Sequence, residues 1–128
     1  MKLSLDPRLA KGIDEFNERL FFECHETLEE IWLEEHGEDR LFYQGLIQVA
    51  AGYLKWEQGV LIGAIKLWQR GLEKLDGYPA IHLGVDLASM IRATKDNLRL
   101  VEAAYEQNAQ APDIAVPRIS LDGVDDEA

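Results

Sequence analysis

Hydrophobic side chains recur at intervals of three and four residues along most of the chain, which is the spacing of a helix with one apolar face. The first such segment begins at Asp6-Pro7, where an N-cap residue precedes a proline at the first helical position. Residues 17–19 can form a tight turn, so the pattern leaves open whether this helix runs unbroken into residues 21–35. A break is predicted at Gly37, as expected for the glycine that follows a helix C-terminus.

Three more helical segments follow. Residues 41–54 form the longest uncharged run, whose 14 residues are typical of a buried core helix and fall short of the ~20 that a membrane-spanning helix needs. An amphipathic helix begins near Gly59 and stops at residues 76–79, and a fourth long helix begins after Gly84.

No segment alternates with a period of two, so the pattern predicts no strands. The predicted fold is all-α, an up-and-down helical bundle of about four main helices with short connections. We expect residues 1–107 to form this single domain and residues 108–128 to form an extended acidic tail that frays after Gly123. The tail residues expected to lie on the bundle are Ile114, Val116, Ile119 and Leu121.

A weak internal similarity appears at an offset of 40 residues and suggests duplicated helix pairs. Since any two amphipathic helices give such matches, the alternative of no repeat stays open. The residues that match are Phe16, Leu20, Phe21, Cys24 and Leu28 with Trp56, Val60, Leu61, Ala64 and Trp68.

Charge narrows the range of functions. The chain has 128 residues, 13 of them Lys or Arg and 24 Asp or Glu, for a net charge of −11. Phosphate backbones and anionic lipids repel such a surface, so we expect neither a nucleic acid nor a membrane as a partner. A lone cysteine cannot form an internal disulfide, and residues 1–7 lack the apolar stretch of a signal peptide. The protein is therefore expected in the cytoplasm.

Two polar side chains of the second helical segment lie beside its apolar stripe. On a helical wheel, His25 and Glu29 are bracketed by Phe21 and Trp32 on one side and by Phe22 on the other. They stand at i and i+4, within contact reach on one helix surface. Such groups need hydrogen-bond partners when they are buried.

The uncharged helix offers those partners. Gln44 and Gln48 share one stripe with Arg40, at i, i+4 and i+8. Gly45 and Gly52 lie on the opposite flank, where they would let another backbone approach closely. The pattern thus predicts a polar cluster between two helices.

Two motifs resemble a known family. His25, Glu29 and Trp32 match the motif H-x-x-x-E-x-x-W, and residues 44–50 match Q-G-L-I-Q-x-A. Together they resemble the prokaryotic family catalogued as domain of unknown function 309, over roughly residues 13–100.

The sequence departs from this family at two turn positions. Arg19 stands where a glycine is expected, and Val60 stands where an asparagine often follows glycine. The resemblance implies a small helical bundle but no established activity.

The leading hypothesis is a pocket that binds or turns over a small polar molecule. In it, Glu29 orients His25 for acid–base catalysis. The residues expected to bind the ligand are Trp32, Arg40, Gln44 and Gln48.

An alternative gives the same cluster a purely structural role, in a helical interaction or scaffold module that forms homo-oligomers. Several aromatic residues favour it, since one thin bundle would leave part of their surface exposed. They are Phe42, Tyr43, Tyr53, Trp56 and Trp68.

A second alternative is a metal-binding, hydrolase-like site. His25 and Glu29 supply only two ligands, so the sequence assigns no metal and no cofactor. Cys24 is interpreted as core filler, because neighbouring helical residues point about 100° apart and a Cys24–His25 dyad is disfavoured. His36 and His82 are expected at the surface.

Overall fold

The computed structural model describes residues 5–121, and within that range the chain forms five helices, packed in sequence order, and one short hairpin. The helices are α1 (Pro7–Asn17), α2 (Phe21–Glu34), α3 (Arg40–Glu57), α4 (Leu61–Leu75) and α5 (Leu87–Glu106). Strands β1 (Ile81–His82) and β2 (Val85–Asp86) pair antiparallel. The predicted all-α bundle is confirmed.

The described range holds one helix more than expected because residues 18–20 form a turn between α1 and α2. Arg19 adopts a left-handed backbone with φ 62°. Its N–H donates to the carbonyl of Phe16 at 2.9 Å, and the N–H of Leu20 donates to the carbonyl of Glu15 at 2.8 Å. This pair of hydrogen bonds is the Schellman motif, which ends a helix by satisfying its last carbonyls.

The same turn recurs at residues 58–60, between α3 and α4. Gly59 has φ 76°, its N–H donates to Trp56 at 3.0 Å, and the N–H of Val60 donates to Lys55 at 2.9 Å. Each of these residues lies 40 positions after its counterpart in the first turn. The offset seen in the sequence is therefore a repeat of backbone geometry.

The aromatic residues expected to leave exposed surface are mostly in the core. Phe42, Tyr53 and Trp68 are fully buried, and Tyr43 is 5% exposed. Tyr53 packs against Trp68 with ring centroids 4.8 Å apart. This expectation was wrong because Tyr78 and His82 cover Phe42, and Tyr53 is hydrogen-bonded to α5.

Two glycines of α3 lie where α3 crosses α4. A Cβ on Gly45 would stand 3.1 Å from the carbonyl oxygen of Gly71, so the close backbone approach predicted there is confirmed. Gly52 instead faces a side chain, since a Cβ there would overlap the indole ring of Trp68.

Residues 107–121 cross the bundle without forming a helix. Ile119 is buried and exchanges two hydrogen bonds with the side chain of Asn17, at 2.7 and 2.9 Å. The N–H of Asp86 donates to the carbonyl of Ser120 at 2.9 Å, which ties the segment to the hairpin. The predicted fraying after Gly123 lies outside the described residues.

The hairpin itself was not predicted, because strands of two residues are too short for a period of two to show. Among residues 5–121, no helix combines the length and apolar character needed to cross a membrane.

Candidate functional site

The six predicted site residues lie on two neighbouring helices, three on α2 and three on α3. Trp32 and Arg40 connect the helices. The Arg40 guanidinium carbon lies 4.2 Å from the centroid of the Trp32 ring, and Nη1 donates to the carbonyls of Trp32 at 2.8 Å and Glu35 at 2.7 Å. Arg40 therefore closes the C-terminal end of α2 instead of pointing a free cation at a ligand.

His25 is partly buried, with 28% of its side chain exposed. Its ring stacks on that of Phe22 with centroids 6.3 Å apart. Phe22 is itself 55% exposed, so it borders the imidazole at the surface and does not enclose it as predicted. The site is consequently open on this side.

The carboxylate beside His25 was not identified from the sequence. Glu26 Oε2 lies 3.5 Å from His25 Nδ1, whereas no described hydrogen bond joins His25 to Glu29. The Glu26 side chain is 54% exposed. A glutamate side chain is long enough to reach back to its neighbour, which a wheel of Cα directions does not represent.

His25, Glu26 and Glu29 form a cluster in which one ligand atom of each lies within 4.8 Å of the others. An imidazole nitrogen and two carboxylates are groups that bind zinc and similar divalent cations. The third member gives the cluster one ligand more than the sequence analysis counted.

Three buried polar atoms of the two helices make no hydrogen bond with any described residue. They are His25 Nδ1, Trp32 Nε1 and Gln48 Oε1. The network predicted from Gln44 and Gln48 to His25 and Glu29 is thus not formed within residues 5–121. A buried polar atom without a partner costs about 1–3 kcal/mol, so three of them are unusual.

The orientation of Gln48 has a simple cause. Positions four apart on a helix are rotated by about 40°, so Arg40, Gln44 and Gln48 point in successively different directions around α3. A Cβ on Gly71 of α4 would stand 3.2 Å from the Cβ of Gln48. Gln48 of α3 therefore lies beside α4.

Negative charge dominates the surroundings. Between residues 23 and 39 there are eight acidic residues and no lysine or arginine. Arg8 compensates one end, pairing with Asp6 and Glu34 at 2.7 Å each, and it holds the pKa of both carboxyls below their ordinary values through these hydrogen bonds. The cluster at His25 keeps an excess of carboxylates, which disfavours anionic ligands.

Cys24 is not available for nucleophilic chemistry. It is 1% exposed, and burial raises the pKa of its thiol to about 12, so the thiolate is not populated at neutral pH. Its interpretation as core filler is confirmed.

His82 takes part in tertiary structure, contrary to the surface role expected. Its Nε2 lies 2.7 Å from Asp39 Oδ1, and its ring packs against Phe42 and Tyr78 with centroids 4.8 Å away in both cases. It thereby fastens β1 to the N-terminus of α3.

Comparison with known families agrees with the motifs. Residues 9–67 match the family described as Domain of unknown function (DUF309), so this part of the chain is a DUF309 domain. The match begins within α1, includes α2 and α3, and ends in the first half of α4, a shorter span than the resemblance to residue 100 had suggested. Comparison with curated proteins gives no match.

Proposed function

We propose that the protein binds a small polar molecule at the α2–α3 face, defined by His25, Glu29, Trp32, Gln44 and Gln48. The observation that carries this proposal is the set of three buried polar atoms that make no hydrogen bond to the described residues, on His25, Trp32 and Gln48. A ligand that hydrogen-bonds to them would offset their desolvation.

The chemistry of these atoms defines the ligand. Trp32 Nε1 can only donate and Gln48 Oε1 can only accept, so the ligand must offer both an acceptor and a donor. The excess of carboxylates around His25 favours a neutral or positively charged molecule. If the ligand is also transformed, His25 is the acid–base group, with Glu29 on the same helix face as its neighbour.

Three small probes of different charge test this proposal: the glycinamide cation and acetamide, which each offer an amide acceptor and N–H donors, and acetate. We expect the first two to shift the NMR signals of the Trp32 indole N–H and the His25 ring, and acetate to leave them unchanged. Gln48→Ala should weaken the response without unfolding the protein. His36→Ala is the matched control, because His36 is exposed in the connection before α3.

A purely structural cluster predicts the opposite result. No probe would shift the two signals, and His25→Ala would change only the free energy of unfolding. That outcome would favour the interaction or scaffold module.

A divalent cation is a second candidate, favoured by the cluster of His25, Glu26 and Glu29. Adding Mn²⁺ should then broaden the His25 ring signals selectively. Glu26→Gln should abolish this broadening while leaving the acetamide response intact, since Glu26 is not one of the residues assigned to the polar ligand. Glu23→Gln, an exposed acid on the same helix, is the control.

A further inference from the structure

A cavity of about 690 Å³ lies between the segment after α4 and one face of α5, and it shares no residue with the α2–α3 face. Its volume is within the roughly 300–1,000 Å³ of small-molecule pockets. Leu75 and Ile91 contribute apolar surface, and Tyr78 and Pro79 line it from the segment that follows α4.

The charge of this cavity differs from that of the protein as a whole. Arg92, Lys95 and Arg99 line it, at positions that lie on one side of α5 over about 10 Å. The acids in the lining are Asp76 and Asp96, so the cavity carries three positive charges against two negative ones in a chain of net charge −11.

Two of the three cations are uncompensated. Arg99 pairs with Asp96 at 2.6 Å, whereas Arg92 and Lys95 make no ion pair with any residue in the described range. Concentrating free cations at a concave, partly apolar surface raises the local positive potential. Guanidinium and ammonium groups bind oxyanions, guanidinium through paired N–H donors.

The wall opposite α5 is held in place at both ends. The Tyr78 hydroxyl donates to the carbonyl of Glu38 and accepts from the N–H of Phe42 at 3.1 Å. The carbonyl of Ala80 accepts from the N–H groups of Leu87 and Ala88 at 2.8 and 3.0 Å. A wall fixed in this way loses little conformational entropy when a ligand binds.

We propose that this cavity binds a small organic oxyanion, a phosphate or carboxylate attached to a flat apolar group. The anion lies against Arg92 and Lys95, and the apolar group lies against Tyr78, Pro79 and Ile91. This site is independent of the proposed function at the α2–α3 face, where the excess of carboxylates excludes anions.

The test uses 1-naphthyl phosphate and 1-naphthoate as probes on the full chain, with 1-naphthol and inorganic phosphate as fragments. We expect one or both naphthyl anions to shift amide signals of residues 75–80 and of the 88–99 face of α5. Both fragments should bind more weakly, and added salt should weaken binding. Comparing the responses to 1-naphthyl phosphate and to 1-naphthoate identifies whether the site accepts a phosphate, a carboxylate or both.

Variants make the result decisive. Arg92→Gln with Lys95→Gln should weaken binding by about tenfold or more, and Asp76→Asn should tighten it. Lys66→Gln with Arg70→Gln removes the same charge from the exposed face of α4 and should have little effect. The proposal is overturned if neither anion shifts these signals, if 1-naphthol binds as tightly as the anions, or if the two double variants bind equally.

Discussion

The two helix pairs α1–α2 and α3–α4 share a backbone plan but differ in what their faces do. Both turn through a left-handed residue, Arg19 or Gly59, with the same two hydrogen bonds. The difference lies on the second helix, where His25 of α2 corresponds to Ile65 of α4 at the 40-residue offset. Ile65 is 6% exposed and faces the α4–α5 boundary, whereas His25 is partly exposed on the α2–α3 face.

The comparison shows that the two pairs share the geometry of the turn and of the helix crossing. The face of the second helix that points away from its partner differs between them. Each pair also has a glycine at its crossing. Gly12 faces Leu28, and Gly52 faces Trp68, again 40 residues apart. The same plan therefore supports an apolar interface in one pair and a polar candidate site in the other.

The largest expected effect comes from adding a methyl group at the point where α3 crosses α4. Gly52→Ala should destabilise the protein by about 3 kcal/mol, because the new methyl overlaps the fully buried Trp68 ring. That ring is held by a hydrogen bond from Nε1 to the carbonyl of Val49 at 3.2 Å. Gly12→Ala is the matched change and should cost only about 1 kcal/mol, since a leucine end can rotate away. Urea unfolding of both variants measures the difference, and equal losses would contradict the account.

The next largest effect concerns the hydrogen bonds between the second helix pair and α5. The Tyr53 hydroxyl is 2.9 Å from Thr94 Oγ1 and accepts from Asn97 Nδ2 at 2.9 Å, while the corresponding residue of the first pair is Ile13. Tyr53→Phe should lower the free energy of unfolding by about 1–2 kcal/mol, because it removes these buried hydrogen bonds. Tyr105→Phe, at a residue 46% exposed, should change the free energy little. A neutral Tyr53→Phe would show that the network does not hold α5.

Exchanging the turn residues tests whether the two turns are equivalent. Gly59→Ala should destabilise by about 1 kcal/mol, because an alanine resists a positive φ. Arg19→Gly should stabilise the protein by about 0.5 kcal/mol. Glycine removes the strain of the positive φ, but the substitution also removes the guanidinium contact with Trp56. Thermal or urea unfolding compares them, and the same sign for both substitutions would show that the turns are not equivalent.

Making α2 resemble α4 tests the cost of the polar face. His25→Ile should raise the free energy of unfolding by about 0.5–1 kcal/mol, because it removes a buried nitrogen that has no described partner. His36→Ile, in an exposed connection, should give no such gain. A clear loss of stability in His25→Ile would mean that the imidazole is structural.

The smallest effect concerns the residues that precede the first helix of each pair, α1 and α3. Asp6 accepts from the N–H of Arg8 at 2.9 Å and caps α1, whereas Asp39 before α3 makes no side-chain cap and contacts His82 instead. Hydrogen bonds from Arg8 hold the pKa of Asp6 below its ordinary 3.8. The stability this supplies is present above pH 3.8 and is lost as the pH falls through the lowered pKa.

Asp6→Asn keeps a capping oxygen but removes the titration. We expect it to lose less stability than the unmodified protein between neutral pH and about pH 3, as followed by thermal unfolding. Asp6→Ala should lose the cap as well and be less stable at every pH. An unchanged pH dependence in Asp6→Asn would remove Asp6 from the acid response.

The sequence predicted the relative placement of two polar side chains better than their contacts. Helical spacing correctly brought His25 and Glu29 to one face of α2, and the match over residues 9–67 agrees with the motif. It missed Glu26, because a wheel follows backbone direction and not the reach of a long side chain. It also assigned Gln48 to His25 and Glu29, because tertiary packing and not local spacing decides that α4 lies beside Gln48.

Local chemistry determined much of the fold before any packing is considered. Apolar spacing specified the helices and Asp6-Pro7 specified the start of α1, whereas the possible turn at residues 17–19 left the division between α1 and α2 open. Contacts between residues distant in sequence decided the rest. The burial of Tyr53, the hairpin tied to residue 120 and the cavity lined by Arg92 exist only once helices and segments meet. A local pattern encodes the direction of a side chain along its own helix, whereas burial and charge environment depend on the neighbour that packs there.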